Sequence, residues 1–144
     1  MTTTLLFSLT LGLGAPALRD KDPTQIIYGL WEMEETPDQI KQRVIERSDG
    51  PYRYRFFRDG TWQVYRGDKE VGERRGFRFE PKTGLPTIDF NTPPAPKHCS
   101  VVLGVYKIEG DSLTICCSYP DVPRPTDLKG GSLMYVHKMR RVKD

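Results

Sequence analysis

The side chains best suited to chemistry in this 144-residue sequence are three cysteines, Cys99, Cys116 and Cys117, and two histidines, His98 and His137. No C-x-x-C pair occurs, and a histidine next to a cysteine is not a zinc-ligand spacing. There is no G-x-S-x-G motif, and no cysteine has a recognisable catalytic context. We therefore expect no metal, no cofactor and no enzymatic activity. An enzyme would need a buried polar cluster around His98, Cys99 and His137.

The adjacent cysteines are better explained as strand residues. Side chains of neighbouring strand residues point to opposite faces, so Cys116 and Cys117 are poorly placed to bridge each other or to share a metal. Leu113 and Ile115 define the apolar face, which Cys117 continues while Cys116 points away. A two-residue turn at residues 109–110 would place Leu103 opposite Cys116. Cys99 would then lie about 13 Å beyond Cys116, and a disulfide would require the chain before residue 101 to fold back.

Short runs of alternating apolar and polar residues, separated by turn signals, predict β-strands along most of the chain. The predicted strands cover residues 26–34, 52–56, 61–66, 74–80, 85–90, 101–108, 113–118 and 133–139. Residues 40–47, after a candidate N-cap at Thr36, fit either a helix or a strand. Asp59-Gly60 predicts a two-residue hairpin turn with both residues at positive φ. These elements predict an all-β antiparallel meander, most simply closed as a small barrel of about eight strands.

The N-terminal residues differ from the rest of the chain. Residues 1–17 carry no charge, residues 5–13 are largely apolar, and Ala15-Pro16-Ala17 has the small-x-small pattern of a signal-peptidase site. We predict an export signal at 1–17, cleavage near Ala17, and a single periplasmic or extracellular domain at 18–144. Because no Lys or Arg precedes the apolar run, a buried or frayed segment is the alternative. The run is too short to span a membrane, which takes roughly 20 residues.

Charge is concentrated in residues 41–80, which carry eleven Lys or Arg against seven Asp or Glu, in a chain of net charge +3. Strand alternation places Tyr52, Tyr54, Phe77 and Phe79 on the faces opposite Arg53, Arg55, Arg74 and Arg78. Single-stranded nucleic acid is bound by aromatic and basic groups on one surface, so we expect no nucleic-acid partner. A solvated basic face is the preferred interpretation, and an envelope polyanion is the alternative partner. Asp89, a lone strand carboxylate, is predicted to face solvent.

Two parts of the sequence, residues 29–31 and segments between residues 86 and 128, resemble known families. Gly29-Leu30-Trp31 resembles the G-x-W signature of lipocalins, in which the tryptophan closes one barrel end beneath a late-strand arginine, here Arg140 or Arg141. Residues 86–90, 104–116 and 124–128 resemble, in order, the motifs of the Planctomycetes uncharacterised-domain family. The matching positions are Gly29, Trp31, Ile88, Asp89, Gly104, Tyr106, Gly110, Asp111, Leu113, Cys116, Arg124 and Pro125. Cys117 and the proline-rich residues 92–97 depart from the family pattern.

The resemblance covers residues 29–139 and implies a small exported, lipocalin-like β domain with no established activity. We expect a monomeric, non-enzymatic binding module for a small apolar ligand, without a transmembrane segment. The alternative is a structural or protein-interaction module of the cell envelope, with a filled barrel and an envelope protein as its partner.

Overall fold

The computed structural model describes residues 27–45, 49–80 and 84–143. The export signal predicted at residues 1–17 lies outside the described residues. The elements are β1 (Gly29–Met33), α1 (Pro37–Ile45), β2 (Tyr52–Phe56), β3 (Thr61–Arg66), β4 (Lys69–Glu80), β5 (Thr87–Thr92), β6 (Val102–Glu109), β7 (Ser112–Ser118) and β8 (Met134–Arg141). Each strand overlaps one of the predicted runs, because alternation buries one face of each strand and exposes the other. β4 begins at Lys69 rather than at the predicted residue 74, since residues 69–71 pair with residues 64–66 of β3.

The strands form one closed antiparallel barrel in sequence order, with β8 pairing back to β1. This confirms the predicted meander barrel. Because every neighbouring pair is antiparallel, the β1–β2, β3–β4, β5–β6 and β7–β8 connections lie at one end, which we call the mouth end. The opposite end, where β1 begins and β8 finishes, we call the plugged end.

Trp31 and Arg141 close the plugged end. Trp31 is fully buried, and its Nε1 donates a hydrogen bond to the Ile27 carbonyl at 2.7 Å. The Arg141 guanidinium lies 4.1 Å from the centre of the Trp31 ring, and its Nη1 donates to the Tyr28 carbonyl at 3.0 Å. The predicted covering arginine is therefore Arg141. Arg140 instead faces Glu34 at the surface, 3.7 Å away.

The sequence of residues 40–47 fits either a helix or a strand, and the structure shows a helix over the described part of this segment, Pro37–Ile45. Thr36 and Gln39 form a reciprocal capping box, in which each backbone N–H donates to the other side chain, at 2.7 and 3.3 Å. Pro37 occupies the first helical position, where its missing N–H costs nothing. Local capping therefore outweighs the weak strand pattern of this segment.

The β2–β3 hairpin lies where Asp59-Gly60 predicted it, but its turn is of a different type. Phe57 N donates to Thr61 O at 2.8 Å, so the loop has three residues, and Gly60 alone has positive φ, 79°. Asp59 instead accepts a hydrogen bond on Oδ1 from Thr61 N at 3.0 Å. The predicted two-residue turn was wrong because an aspartate that caps the following N–H favours the three-residue loop.

The β6–β7 register differs from the prediction by two residues. The turn consists of Gly110 and Asp111, because Glu109 pairs with Ser112. Gly110 has φ 59° at the first turn position, as a type II′ turn requires. Cys116 therefore faces Val105 rather than Leu103. A shift of two positions leaves each side chain on its face, so the predicted faces of both cysteines are unaffected.

Candidate functional site

A cavity of about 180 Å³, partly open to solvent, lies inside the barrel toward the mouth end. Four of its lining residues, Asn91, Val102, Cys117 and Tyr135, lie at or next to the mouth-end termini of β5 to β8. The others are Tyr54, Trp62, Arg75, Phe90, Ile115, His137 and Met139. The lining is thus mostly apolar and aromatic, with a few polar groups, which is the usual composition of a small-molecule site.

Aromatic rings hold one another in place around the cavity. Trp62 stacks on Tyr54 at 5.8 Å between ring centres and meets Phe90 edge-on at 5.1 Å. The His137 ring packs edge-on to Tyr54 at 5.8 Å and lies 5.0 Å from Tyr135. Ring pairs at these separations stabilise their mutual arrangement beyond simple burial. The wall of the cavity is therefore preformed.

Burial keeps the titratable groups on one side of the cavity neutral. It raises the pKa of the Cys117 thiol to about 12 and that of Tyr54 to about 12. Burial also raises the pKa of Tyr135 and lowers the pKa of His137 below its usual 6.5. Since a nucleophilic cysteine must ionise, Cys117 and His137 supply no thiolate–imidazolium pair at neutral pH. The neutral Cys117 thiol is therefore a weak nucleophile at neutral pH.

Arg75 is the charged member of the lining. Its Nη1 donates to Asn91 Oδ1 at 3.3 Å, and its Nε is buried without a hydrogen-bond partner in the part of the chain that the structure describes. Trp62, only 9% exposed, has a buried Nε1 that also has no partner there. Both of these buried atoms lie behind the cavity surface, so what Arg75 gives the lining is a positive charge.

The histidines and cysteines singled out in the sequence do not form one site. His98 is exposed and Cys99 half-buried on the chain before β6, whereas His137 lines the cavity. Within residues 27–45, 49–80 and 84–143, no group of three His, Cys, Asp or Glu side chains is placed to hold a metal ion. All three cysteines are free thiols.

Cys116 and Cys117 are both buried, on opposite sides of the barrel wall. Cys117 belongs to the barrel core, as its place on the apolar face predicts. Cys116 points outward but is fully buried, since the connection from residue 119 to 133 covers it near Gly130 and Asp127. Burial raises the pKa of the Cys116 thiol. Both residues are structural in this geometry.

Asp89 and Arg124 fasten that connection to the outside of the barrel. Asp89 Oδ1 lies 2.7 Å from Arg124 Nη2, and Asp89 Oδ2 lies 3.1 Å from Arg78 Nη2. Arg124 Nη1 also donates to the Gly104 carbonyl at 2.8 Å, and the adjacent Pro125 is buried. The prediction that Asp89 faces solvent was wrong: its side chain points outward but is only 10% exposed. A segment distant in sequence covers it.

The remaining family-pattern positions shape the barrel itself. Trp31, Ile88, Tyr106 and Leu113 are buried in its core, and Gly29 begins β1 with φ 119° beneath Arg141. Gly110 and Asp111 form the β6–β7 turn, where the Asp111 carbonyl accepts from Arg141 N at 2.8 Å. None of the positions from the family pattern lines the cavity. They specify a fold rather than a ligand site.

Several side chains of the basic stretch form ion pairs. Arg53 contacts Glu32 and Asp68, and Lys69 contacts Asp49, at 2.8 to 3.2 Å. Arg74 and Arg78 contact Asp59 and Asp89. The aromatic residues predicted to face inward belong to or pack against the core, except Tyr52, which is exposed at the mouth end. These ion pairs offset part of the excess positive charge of the stretch.

Sequence reasoning did not identify Arg75 or Asn91 as site residues, although one signal was present. Arg75 alternates with Phe77 and Phe79, which places it on the inner face of β4. Register confirms this, because Arg75 pairs with Trp62 of the core and paired residues share a face. Asn91 carried no such signal, since it lies at a bulge.

Comparison of the chain with protein-family models, curated proteins and solved structures found no match. The resemblance to the Planctomycetes family stays a prediction. Among the helices that the structure describes, none has the length and apolar character needed to cross a membrane.

Proposed function

We propose that this protein is a non-enzymatic binding module that holds a small apolar ligand in the barrel cavity. The observation that carries this proposal is the partly open aromatic cavity of about 180 Å³ at the mouth end, above a barrel end filled by Trp31 and Arg141. A dry apolar cavity of about 150 Å³ binds benzene, whereas drug-sized ligands occupy about 300 Å³ or more. The cavity therefore suits a ligand with a single ring or a short chain.

Titration with benzyl alcohol, monitored by NMR chemical shifts, tests the proposal. We expect saturable shifts confined to residues around Trp62, Phe90 and His137. Val102→Phe, at the cavity wall, should abolish them by filling the space, whereas Val101→Phe, at its exposed neighbour, should not. Absence of saturable binding by the wild-type protein, together with a ligand-free native mass spectrum of protein purified from its host, would refute the proposal.

An interaction module of the cell envelope is the second candidate function, and the distribution of exposed apolar residues favours it. Among the described residues, the exposed large apolar side chains are Ile40, Val44, Ile45, Tyr52, Val71, Val101, Tyr119 and Leu133. All of them lie in or beside the connections at the mouth end. Apolar side chains grouped in this way often mark an interaction surface.

Pull-down from envelope extracts tests this second function. The wild-type protein should recover a partner, and the variant Leu133→Asp should lose it without any change in melting temperature. The matched control is Val142→Asp, outside the strands at the plugged end. Recovery of no partner, or equal recovery by the Leu133 and Val142 variants, would argue against it.

Export and family membership are part of the proposal and rest on residues 1–17 and on the motif order. N-terminal sequencing of protein from its native host should find a chain beginning near Leu18. A mature chain that retains residues 1–17 would refute cleavage near Ala17.

A further inference from the structure

The cavity contains a positive charge, on Arg75, for which the described part of the chain supplies no carboxylate in the lining. Arg75 is half-buried and lines the cavity, and none of the other lining residues is Asp or Glu. Six other arginines of the described chain, Arg43, Arg53, Arg74, Arg78, Arg124 and Arg140, lie against carboxylates. An anion entering the partly open cavity would meet this guanidinium with no carboxylate in the lining to compete for it, so the site is complementary to an anion.

Two bulges place and orient this guanidinium. Between Trp62 and Val64 the β3–β4 register shifts, and the Gln63 amide donates to the Val71 and Gly72 carbonyls that the bulge leaves open, at 3.1 and 3.2 Å. The Gln63 hydrogen bonds therefore keep β3 and β4 together at the bulge, so that Trp62 and Arg75 stay paired against the core. Bulges often occur next to functional sites, where they re-aim a side chain.

The second bulge brings Asn91 to Arg75. Asn91 has φ 58° where the β4–β5 register shifts beside Gly76. A side chain at Gly76 would collide with the Thr92 and Pro93 carbonyl oxygens, so glycine permits this close approach. Asn91 Nδ2 donates to Ser100 O at 3.0 Å, which leaves its Oδ1 to accept from Arg75. The amide thus uses one donor of the guanidinium and leaves others available.

From these observations, and resting on the proposed binding function, we infer that the cavity takes a small apolar carboxylate of about the size of benzoate. Its carboxylate would accept hydrogen bonds from Arg75, and its ring would lie among Trp62, Tyr54 and Phe90. Guanidinium groups bind carboxylates through paired, charge-assisted hydrogen bonds, which are stronger than neutral ones. His137, kept neutral by burial, contributes no second charge.

Binding of benzoate, benzyl alcohol and benzylamine, measured by isothermal titration calorimetry and NMR at pH 7.5, tests this inference. The three share a ring and differ in charge, so ring burial is similar in each. We expect benzoate to bind roughly 10- to 100-fold more tightly than benzyl alcohol, and benzylamine to bind most weakly. Comparing the affinities of hexanoate and hexanol repeats the test with a short chain in place of the ring. A preference for hexanoate would show that the carboxylate is recognised independently of the ring.

Arg75→Met removes the charge and keeps an apolar side chain of similar length, so benzoate should fall to the affinity of benzyl alcohol. Arg74→Met is the matched control, because Arg74 is the exposed neighbour that pairs with Asp59 and should leave the preference unchanged. Equal binding of benzoate and benzyl alcohol by the wild-type protein would overturn the inference while leaving the binding function intact. Binding of none of the ligands would overturn both. The wild-type comparison decides the matter even if the Arg75 variant does not fold.

Discussion

Replacing Asp89 with asparagine removes the negative charge between Arg124 and Arg78 while keeping the shape of the side chain. Loss of one partner from a buried ion pair costs about 3 to 5 kcal/mol. Arg124 is 30% exposed and keeps its hydrogen bond to the Gly104 carbonyl, so solvent screens part of this cost. Arg78, at 69% exposed, adds at most about 1 kcal/mol. We therefore expect Asp89→Asn to lower the free energy of unfolding by about 2 to 3 kcal/mol.

Urea unfolding followed by tryptophan fluorescence measures this change, because Trp31 and Trp62 are both buried. The melting temperature should fall by roughly 10 °C, at about 4 °C for each kcal/mol in a domain of this size. Arg78→Gln is the matched control and should cost less than about 1 kcal/mol. A double-mutant cycle with Arg124→Gln should give a coupling energy above about 1 kcal/mol. An Asp89→Asn protein within about 0.5 kcal/mol of wild type would refute the assignment of Asp89 as an anchor.

Three further predictions concern the core and its titratable groups. Gly104→Ala should lower the free energy of unfolding by about 1 to 3 kcal/mol in urea, because a Cβ there would lie 3.0 Å from the Cys116 carbonyl oxygen. The control Gly131→Ala places its Cβ in open space and should cost less than about 0.5 kcal/mol. Equal costs for the two variants would contradict the close packing at Gly104. His137 is neutral when folded but protonates in the unfolded chain below pH 6.5, so its contribution to stability is full above pH 6.5 and is lost as the pH falls. His137→Phe should therefore reduce the loss of stability between pH 7.5 and 5 by up to about 2 kcal/mol in urea titrations, whereas the control His98→Gln, at an exposed histidine, should not. Identical pH profiles for the wild-type and His137→Phe proteins would refute the burial of His137. Ellman's reagent should modify Cys99 alone in the native protein and all three cysteines in urea, so a native Cys99→Ser protein that still reacts would show an exposed thiol in β7.

Most of the architecture could be predicted from the sequence, because its signals are local. A period of two places strand side chains on alternate faces whatever the rest of the chain does, so the faces of Cys116 and Cys117 were predicted correctly even from a shifted register. The barrel and the hairpin positions followed from strand count and turn residues. The covering of Trp31 by a late arginine was instead implied by the resemblance of Gly29-Leu30-Trp31 to the lipocalin motif.

Only the tertiary structure decided where Asp89 lies and what Arg75 faces. Asp89 is buried because residues 119–133 cross the outside of the barrel, a contact between segments distant in sequence that no local pattern encodes. The cavity depends on barrel closure and on two bulges, which together bring Trp62, Arg75 and Asn91 to one place. Alternation placed Arg75 on the inner face, but only the closed barrel shows that, among the described residues, no carboxylate lines the cavity beside it.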